Sequence, residues 1–123
     1  MTDFRVAAYE CYLSAWAAVS DAQRLSLLRE GVTQGVIFSN STRTRTGIAD
    51  VVDHLDGFQR GSPGGSFRLL SMLGWDDNAL AKWQFVGAGG IAGFKGYDTL
   101  AFDKDGMINS IVMFVAVEKQ MLK

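Results

Sequence analysis

Phe4, Ala8, Cys11, Tyr12, Ala15 and Val19 recur at spacings of three and four, which predicts one face of a first helix, with Tyr9 and Trp16 flanking it. Ser20-Asp21 offers a cap for a short second helix through Leu25, Leu27 and Leu28, and Gly31 offers its stop. Val36-Ile37-Phe38, followed by Thr42, Thr44 and Thr46 interleaved with Arg43 and Arg45, predicts a strand bent near Asn40 with the arginines on one side. Ile48, Val51, Val52, Leu55 and Phe58 then return to helical spacing, predicting a third amphipathic helix over 48–59 that Gly61-Ser62-Pro63-Gly64-Gly65 breaks. Strand-like segments follow over 67–76, 79–86, 92–102 and 107–117, joined by Asp76-Asp77-Asn78, Gly87 to Gly90, and Asp103-Lys104-Asp105-Gly106 as hairpin turns. Helices first and long antiparallel strands second define an α+β domain, with three N-terminal helices packed on one face of a curved, mostly antiparallel sheet. No repeat or linker interrupts the pattern, so residues 1–123 read as one domain.

The later strands alternate poorly. Phe67, Leu69, Leu73 and Trp75 fall on one side of their segment and Leu70 and Met72 on the other, while Ile111, Met113 and Val115 oppose Ile108, Val112 and Phe114. A sheet apolar on both faces needs a cover on each, helices on one and another subunit on the other, so a homodimer through the outer face is expected.

Composition narrows the function. With 48% hydrophobic residues in 123, the chain is long and apolar enough to bury a core without disulfides or a structural metal. A net charge of −1 lacks the basic footprint of a nucleic-acid binder, and no apolar run approaches the ~20 residues of a membrane helix. The start, Met1-Thr2-Asp3-Phe4-Arg5, has an acid where a secretory signal carries positive charge, so a cytoplasmic location is expected. Cys11 is the only cysteine and His54 the only histidine, which excludes an intrachain disulfide, a thiolate zinc site and any two-histidine metal motif. Gly87-Ala88-Gly89 joins two strands instead of opening a helix, so it is a hairpin and not a dinucleotide site. Gly61 to Gly65 lacks the Lys-Ser/Thr of a phosphate loop, and Asp103 to Gly106 lacks the terminal Glu of a calcium loop.

Tyr12 and Trp16, Gly47-Ile48-Ala49 followed by His54-Leu55, Trp83, and Gly96-Tyr97-Asp98 through Phe102-Asp103-Lys104-Asp105-Gly106-Met107-Ile108 carry a resemblance that covers nearly the whole chain. With the order helix, helix, strand, helix and four strands, the sequence resembles the nuclear transport factor 2-like superfamily. Its cone-shaped, cystatin-like fold is shared by ketosteroid isomerases and SnoaL-type polyketide cyclases. The fold hosts isomerases, cyclases, dehydratases, hydrolases and proteins without catalysis, so the resemblance implies architecture more than activity.

Asp98 shares a strand face with Ala92, Phe94, Leu100 and Phe102, an acid on an otherwise apolar side. Desolvation there favours the protonated form, which can donate to a developing oxyanion. The resemblance implies that role in the isomerases and an acid/base role in the cyclases, while a buried acid accepting from backbone or from Arg43 or Arg45 is the alternative. Tyr12 matches the first-helix tyrosine that the resemblance implies as a second oxyanion donor, with Tyr9 a weaker substitute; a core tyrosine is the alternative. Asn40, within Ser39-Asn40-Ser41, stands where the isomerases place their proton-shuttling carboxylate, and an amide cannot take a proton. That task would pass to His54 or to a water held by Asn40, unless His54 is a plain helix-flank residue. Gln59 is either a polar cavity group or a frayed helix end. Trp16, Trp83, Phe94 and Met113, with Met72, Trp75 and Phe85, line an apolar pocket if the cone is open and fill it if closed. The expected function is binding of a modest apolar or aromatic carbonyl compound. Isomerisation, cyclisation or dehydration would proceed by proton transfer without metal or organic cofactor. Non-catalytic ligand binding and a dimerisation module are the alternatives.

Overall fold

The computed structural model describes residues 3–123; Met1 and Thr2, part of the start read above for targeting, lie outside them. Asp3 caps the first helix, α1 (Phe4–Ser14), by accepting the Arg5 N–H at 2.8 Å. Its inner face is rotated from the predicted one. Tyr9, Tyr12, Leu13 and Trp16 are buried, whereas Cys11 and Val19 are only half-buried and Phe4 is largely exposed. Ser20 Oγ accepts the Gln23 N–H at 3.1 Å and opens α2 (Asp21–Gly31), as its sequence predicts. Gly31 lies where α2 crosses α1, and a side chain there would strike the Ala8 carbonyl oxygen.

The strands β1 (Val32–Ser39) and β2 (Thr44–Thr46) form an antiparallel hairpin, with Ile37 opposite Thr46. The expected bend near Asn40 is therefore a full reversal. Asn40 Oδ1 makes it by accepting from Thr42 N–H at 2.9 Å, Thr42 Oγ1 at 2.8 Å and Arg43 N–H at 3.0 Å. Arg43 consequently sits in the turn and does not share a strand face with Arg45. The third helix, α3 (Ile48–Gly61), buries Ile48, Val51 and Leu55 at the predicted spacing.

A meander completes the sheet: β3 (Ser66–Trp75), β4 (Asn78–Gly87), β5 (Ile91–Phe102) and β6 (Ile108–Phe114). The last strand stops short of the predicted Val117. Ala116 adopts a left-handed conformation (φ 52°) and turns the chain into the single-turn α4 (Val117–Gln120). Strand order is β2-β1-β6-β5-β4-β3, antiparallel throughout except for the parallel β1–β6 pair. In β3 a bulge between Leu69 and Ser71 inverts the faces. One extra residue flips every later side chain, so Phe67, Leu69 and Met72 point inward while Leu73 and Trp75, 66% and 69% exposed, point outward. Trp75 is thus no pocket residue.

The helices fill the concave side. Tyr9, Tyr12, Leu28, Phe38, Leu55 and Trp83 are essentially inaccessible there, each burial stabilising by about 1.5–3 kcal/mol for the aliphatic and Phe side chains. The convex side keeps Ile37, Leu73, Trp75 and Phe114 exposed, as the two-sided apolar pattern requires. Among the described residues, no helix is long and apolar enough to cross a membrane.

Candidate functional site

On β5 every second residue faces into the cone, which places Phe94, Gly96, Asp98, Leu100 and Phe102 in a row along the concave wall. Asp98 sits halfway down, opposite Ala81 on β4 and Met113 on β6. Only 2% of it is accessible, and Oδ2 accepts the Tyr9 hydroxyl at 2.7 Å. Burial pushes its carboxyl up to about 7, against the opposing pull of the Tyr9 hydrogen bond and the nearby Trp83 indole N–H. The acid is therefore poised between protonated and ionised at neutral pH. Burial, then the negative charge of Asp98, drives the Tyr9 hydroxyl far above its ordinary value, so Tyr9 donates and does not ionise.

The structure gives this hydrogen bond to Tyr9 and not to Tyr12. Both lie on the inward face of α1, their rings 5.8 Å apart, and the Tyr12 hydroxyl is buried without a hydrogen-bond partner. Burial and the Asp98 charge raise its pKa too. Neither Arg43 nor Arg45 pairs with Asp98. Arg45 Nη1 bonds Asp50 Oδ1 at 2.9 Å, and Arg43 is exposed.

Above the buried acid runs an aromatic wall. The Phe67 ring lies edge-on to both Trp16 (5.0 Å) and Trp83 (4.9 Å). Trp83 leans across Gly96, where a Cβ would collide with its ring and with the Phe114 carbonyl oxygen. That glycine makes room for the indole between Phe94 and Asp98. Outside the wall the cone opens into a pocket of about 460 Å³ lined by Trp16, Asn40, Arg45, His54, Phe58 and Arg60, with Phe67, Phe94 and Met113 completing its apolar side. Of the residues expected from sequence, Trp16, Asn40, His54, Phe94 and Met113 line this pocket, whereas Asp98, Tyr12 and Trp83 lie beyond it. The open and filled cones posed by the sequence thus coexist: open at the mouth, filled at the base.

His54 packs its imidazole against Phe38 (4.9 Å) and Trp16 (5.3 Å). Burial, then the positive charge of Arg45, lowers its pKa, with Asp50 pulling the other way, so the ring is neutral at neutral pH and one nitrogen can accept a proton. Asn40 spends its Oδ1 on the hairpin turn.

Sequence reasoning missed what holds the wall. Arg24 is buried in α2, its Nε bonding the Ala15 carbonyl at 2.9 Å, its Nη2 the Ala17 carbonyl at 3.0 Å and its Nη1 Asp56 on α3. Gln59 is neither a cavity group nor frayed: Nε2 bonds the Trp16 carbonyl at 2.7 Å and the Gly65 carbonyl at 2.8 Å. Three consecutive carbonyls around Trp16 are thereby fixed by side chains, satisfying the open end of α1.

A helix-lined cone with a buried acid and an apolar mouth defines the α+β cone class. A sequence model of the SnoaL-like domain matches residues 13–111, and the chain belongs to that family. A SnoaL-like family protein from Agrobacterium tumefaciens, provisionally named an isomerase, shares the fold at a TM-score of 0.81 and 18% identity, over 90% of this chain and 96% of that one. A SnoaL-like protein from Jannaschia, provisionally named a polyketide cyclase, does so at 0.75 and 15%, over 96% and 89%. TerC, crystallised with polyporic acid, does so at 0.72 and 10%, over 96% of each chain. None of the curated proteins matches the chain in sequence.

Proposed function

We propose that the chain binds a modest apolar or aromatic carbonyl compound and moves a proton next to its carbonyl, as a cofactor-free isomerase, cyclase or dehydratase. The observation that carries this reading is the Asp98–Tyr9 pair, a carboxyl raised to about 7 and held by a buried donor beneath an apolar pocket. In the protonated form Asp98 donates its proton toward the substrate oxygen as negative charge develops there, and Tyr9 fixes its other oxygen. Neutral His54 takes the proton from the carbon beside the carbonyl and returns it to complete an isomerisation. Trp83 stands over Gly96 on the path from pocket to acid, so turnover requires that indole to move when the ligand enters. A second copy of the chain covers the convex face, where Ile37, Leu73, Trp75 and Phe114 are exposed, and the assembled protein is cytoplasmic.

The same aromatic wall favours a second reading, ligand binding without chemistry, because Asp98 does not line the pocket. Asp98→Asn separates the two. Ligands are first found by thermal shift with small apolar ketones and phenols. Loss of turnover with retained affinity supports the enzyme, whereas unchanged turnover removes Asp98 from the mechanism.

A further inference from the structure

The pocket wall carries more free hydrogen-bond donors than acceptors. The Arg45 Nε–H is buried without a partner among the described residues, although Arg45 lines the pocket. Arg45 spends Nη1 on the Asp50 carboxylate (2.9 Å) and carbonyl (3.1 Å), which leaves the rest of its fork unbound among the described residues. Arg60 lines the same pocket from α3, and its side chain makes no hydrogen bond or ion pair among the described residues. The Asn40 carbonyl is consumed by its turn, so what that side chain can offer a ligand is its NH2 group.

Acceptors are scarcer. Asp50 is spent on Arg45 and on the Thr46 N–H at 3.1 Å. Asp53, the one carboxylate lining the pocket among the described residues, is exposed and forms no ion pair with Arg60. His54 adds a single acceptor nitrogen. An unpaired guanidinium beside stacked rings suits a ligand with complementary chemistry, a planar apolar body and a forked anionic oxygen pair.

We propose that the ligand of this pocket is a flat aromatic or conjugated carboxylate, its ring held among Trp16, Phe58, Phe67 and Phe94 and its carboxylate bound by Arg60 and the free edge of Arg45. The inference rests on the pocket being the ligand site, as proposed above, and adds the anionic group. Its orientation sets the acid at the mouth and leaves the opposite end of the ligand facing the aromatic wall and Asp98.

The test uses a matched pair of probes, 2-naphthoate and its neutral near-isostere 2-acetonaphthone, titrated calorimetrically into the whole protein at pH 7.5. The carboxylate is expected to bind about tenfold or more tighter than the ketone, since a charge-assisted bond outweighs a neutral one. The preference should shrink with added salt. Arg60→Gln, at an exposed position, should reduce that preference about tenfold. Arg45→Lys, which keeps the charge facing Asp50 but loses the fork, should reduce it in the same direction. Equal binding of both probes, or an undiminished preference in both variants, overturns the anionic site and leaves the apolar pocket standing. Failure of both probes to bind overturns the pocket reading and this proposal together.

Discussion

The two halves of the cone are built on opposite terms. At the base, Tyr9, Tyr12, Asp98 and Trp83 are shut away from water, and a single hydrogen bond of 2.7 Å joins two of them. At the mouth, Asn40, Arg45, His54 and Arg60 surround open space. In the base, desolvation dominates every titration: it raises Asp98 and both tyrosines. At the mouth it still leads for His54, but the charges of Arg45, Asp50 and Arg43 follow. Tuning of an acid and recognition of a ligand are thus physically separated, with Trp16, Phe67 and Trp83 as the partition.

Removing the partition is the most direct way to erase the contrast. Trp83→Ala should cost about 3–5 kcal/mol, as a large buried side chain cut to a methyl does, and should extend the pocket toward Asp98. Urea unfolding gives the cost. A crystal structure of the variant with a continuous cavity down to Asp98 would bear out the partition, and an inward collapse onto the gap would refute it.

The acid can be isolated by pH. Below about pH 4 both folded and unfolded chains keep the Asp98 proton; between 4 and 7 the unfolded chain releases it while the folded one retains it. Because the folded pKa is the higher, stability falls as pH rises across that window, by about 4 kcal/mol in all, and is flat above it. His54, with its lowered pKa, contributes the opposite slope below about 6.5 and is present in both proteins compared. Asp98→Asn should therefore gain on wild type steadily from pH 4 to 7 in urea titrations. Parallel pH profiles for the two proteins would mean that Asp98 ionises in the folded state as it does in water.

The smallest effect distinguishes two tyrosines that look alike in sequence. Tyr9→Phe takes a hydrogen bond from a buried carboxyl, should cost about 1.5–3 kcal/mol when Asp98 is ionised, and should raise the Asp98 pKa further. Tyr12→Phe removes a hydroxyl that has no partner, and should be neutral or slightly stabilising. Equal losses in denaturant melts of the two variants would contradict the assignment.

Much of the fold was legible because local chemistry specified it. The Ser20 cap, the apolar spacing of α3 and the turn residues between β3, β4, β5 and β6 act within a few positions, and all appear where the residue types place them. Long-range choices were not legible. Tyr9 and Tyr12 are three residues apart and share a helix face, so which one meets Asp98 depends on how α1 is rotated against a strand some ninety residues away. Arg24 gave no signal, since nothing nearby announces that Ala15, Ala17 and Asp56 will surround it. The bulge in β3 leaves no trace in residue type, yet it sent Trp75 out of the expected pocket. Asp98 itself was visible as a lone acid on an apolar face, and the structure buries it accordingly.

The parallel pairing of β1 with β6 also has a temporal meaning. Phe38 lies opposite Ile111, about seventy residues later, so the hairpin that carries Asn40 has no neighbour on its inner edge until nearly the whole chain has been synthesised. Closing so long a loop delays the contact and lowers the rate of folding, because its entropy cost precedes any gain from the pairing. The β3–β5 meander pairs strands that are near in sequence, whereas the β1–β6 pairing closes the longest loop in the sheet. Until residues 108–114 arrive, β1 presents an unpaired edge to other chains.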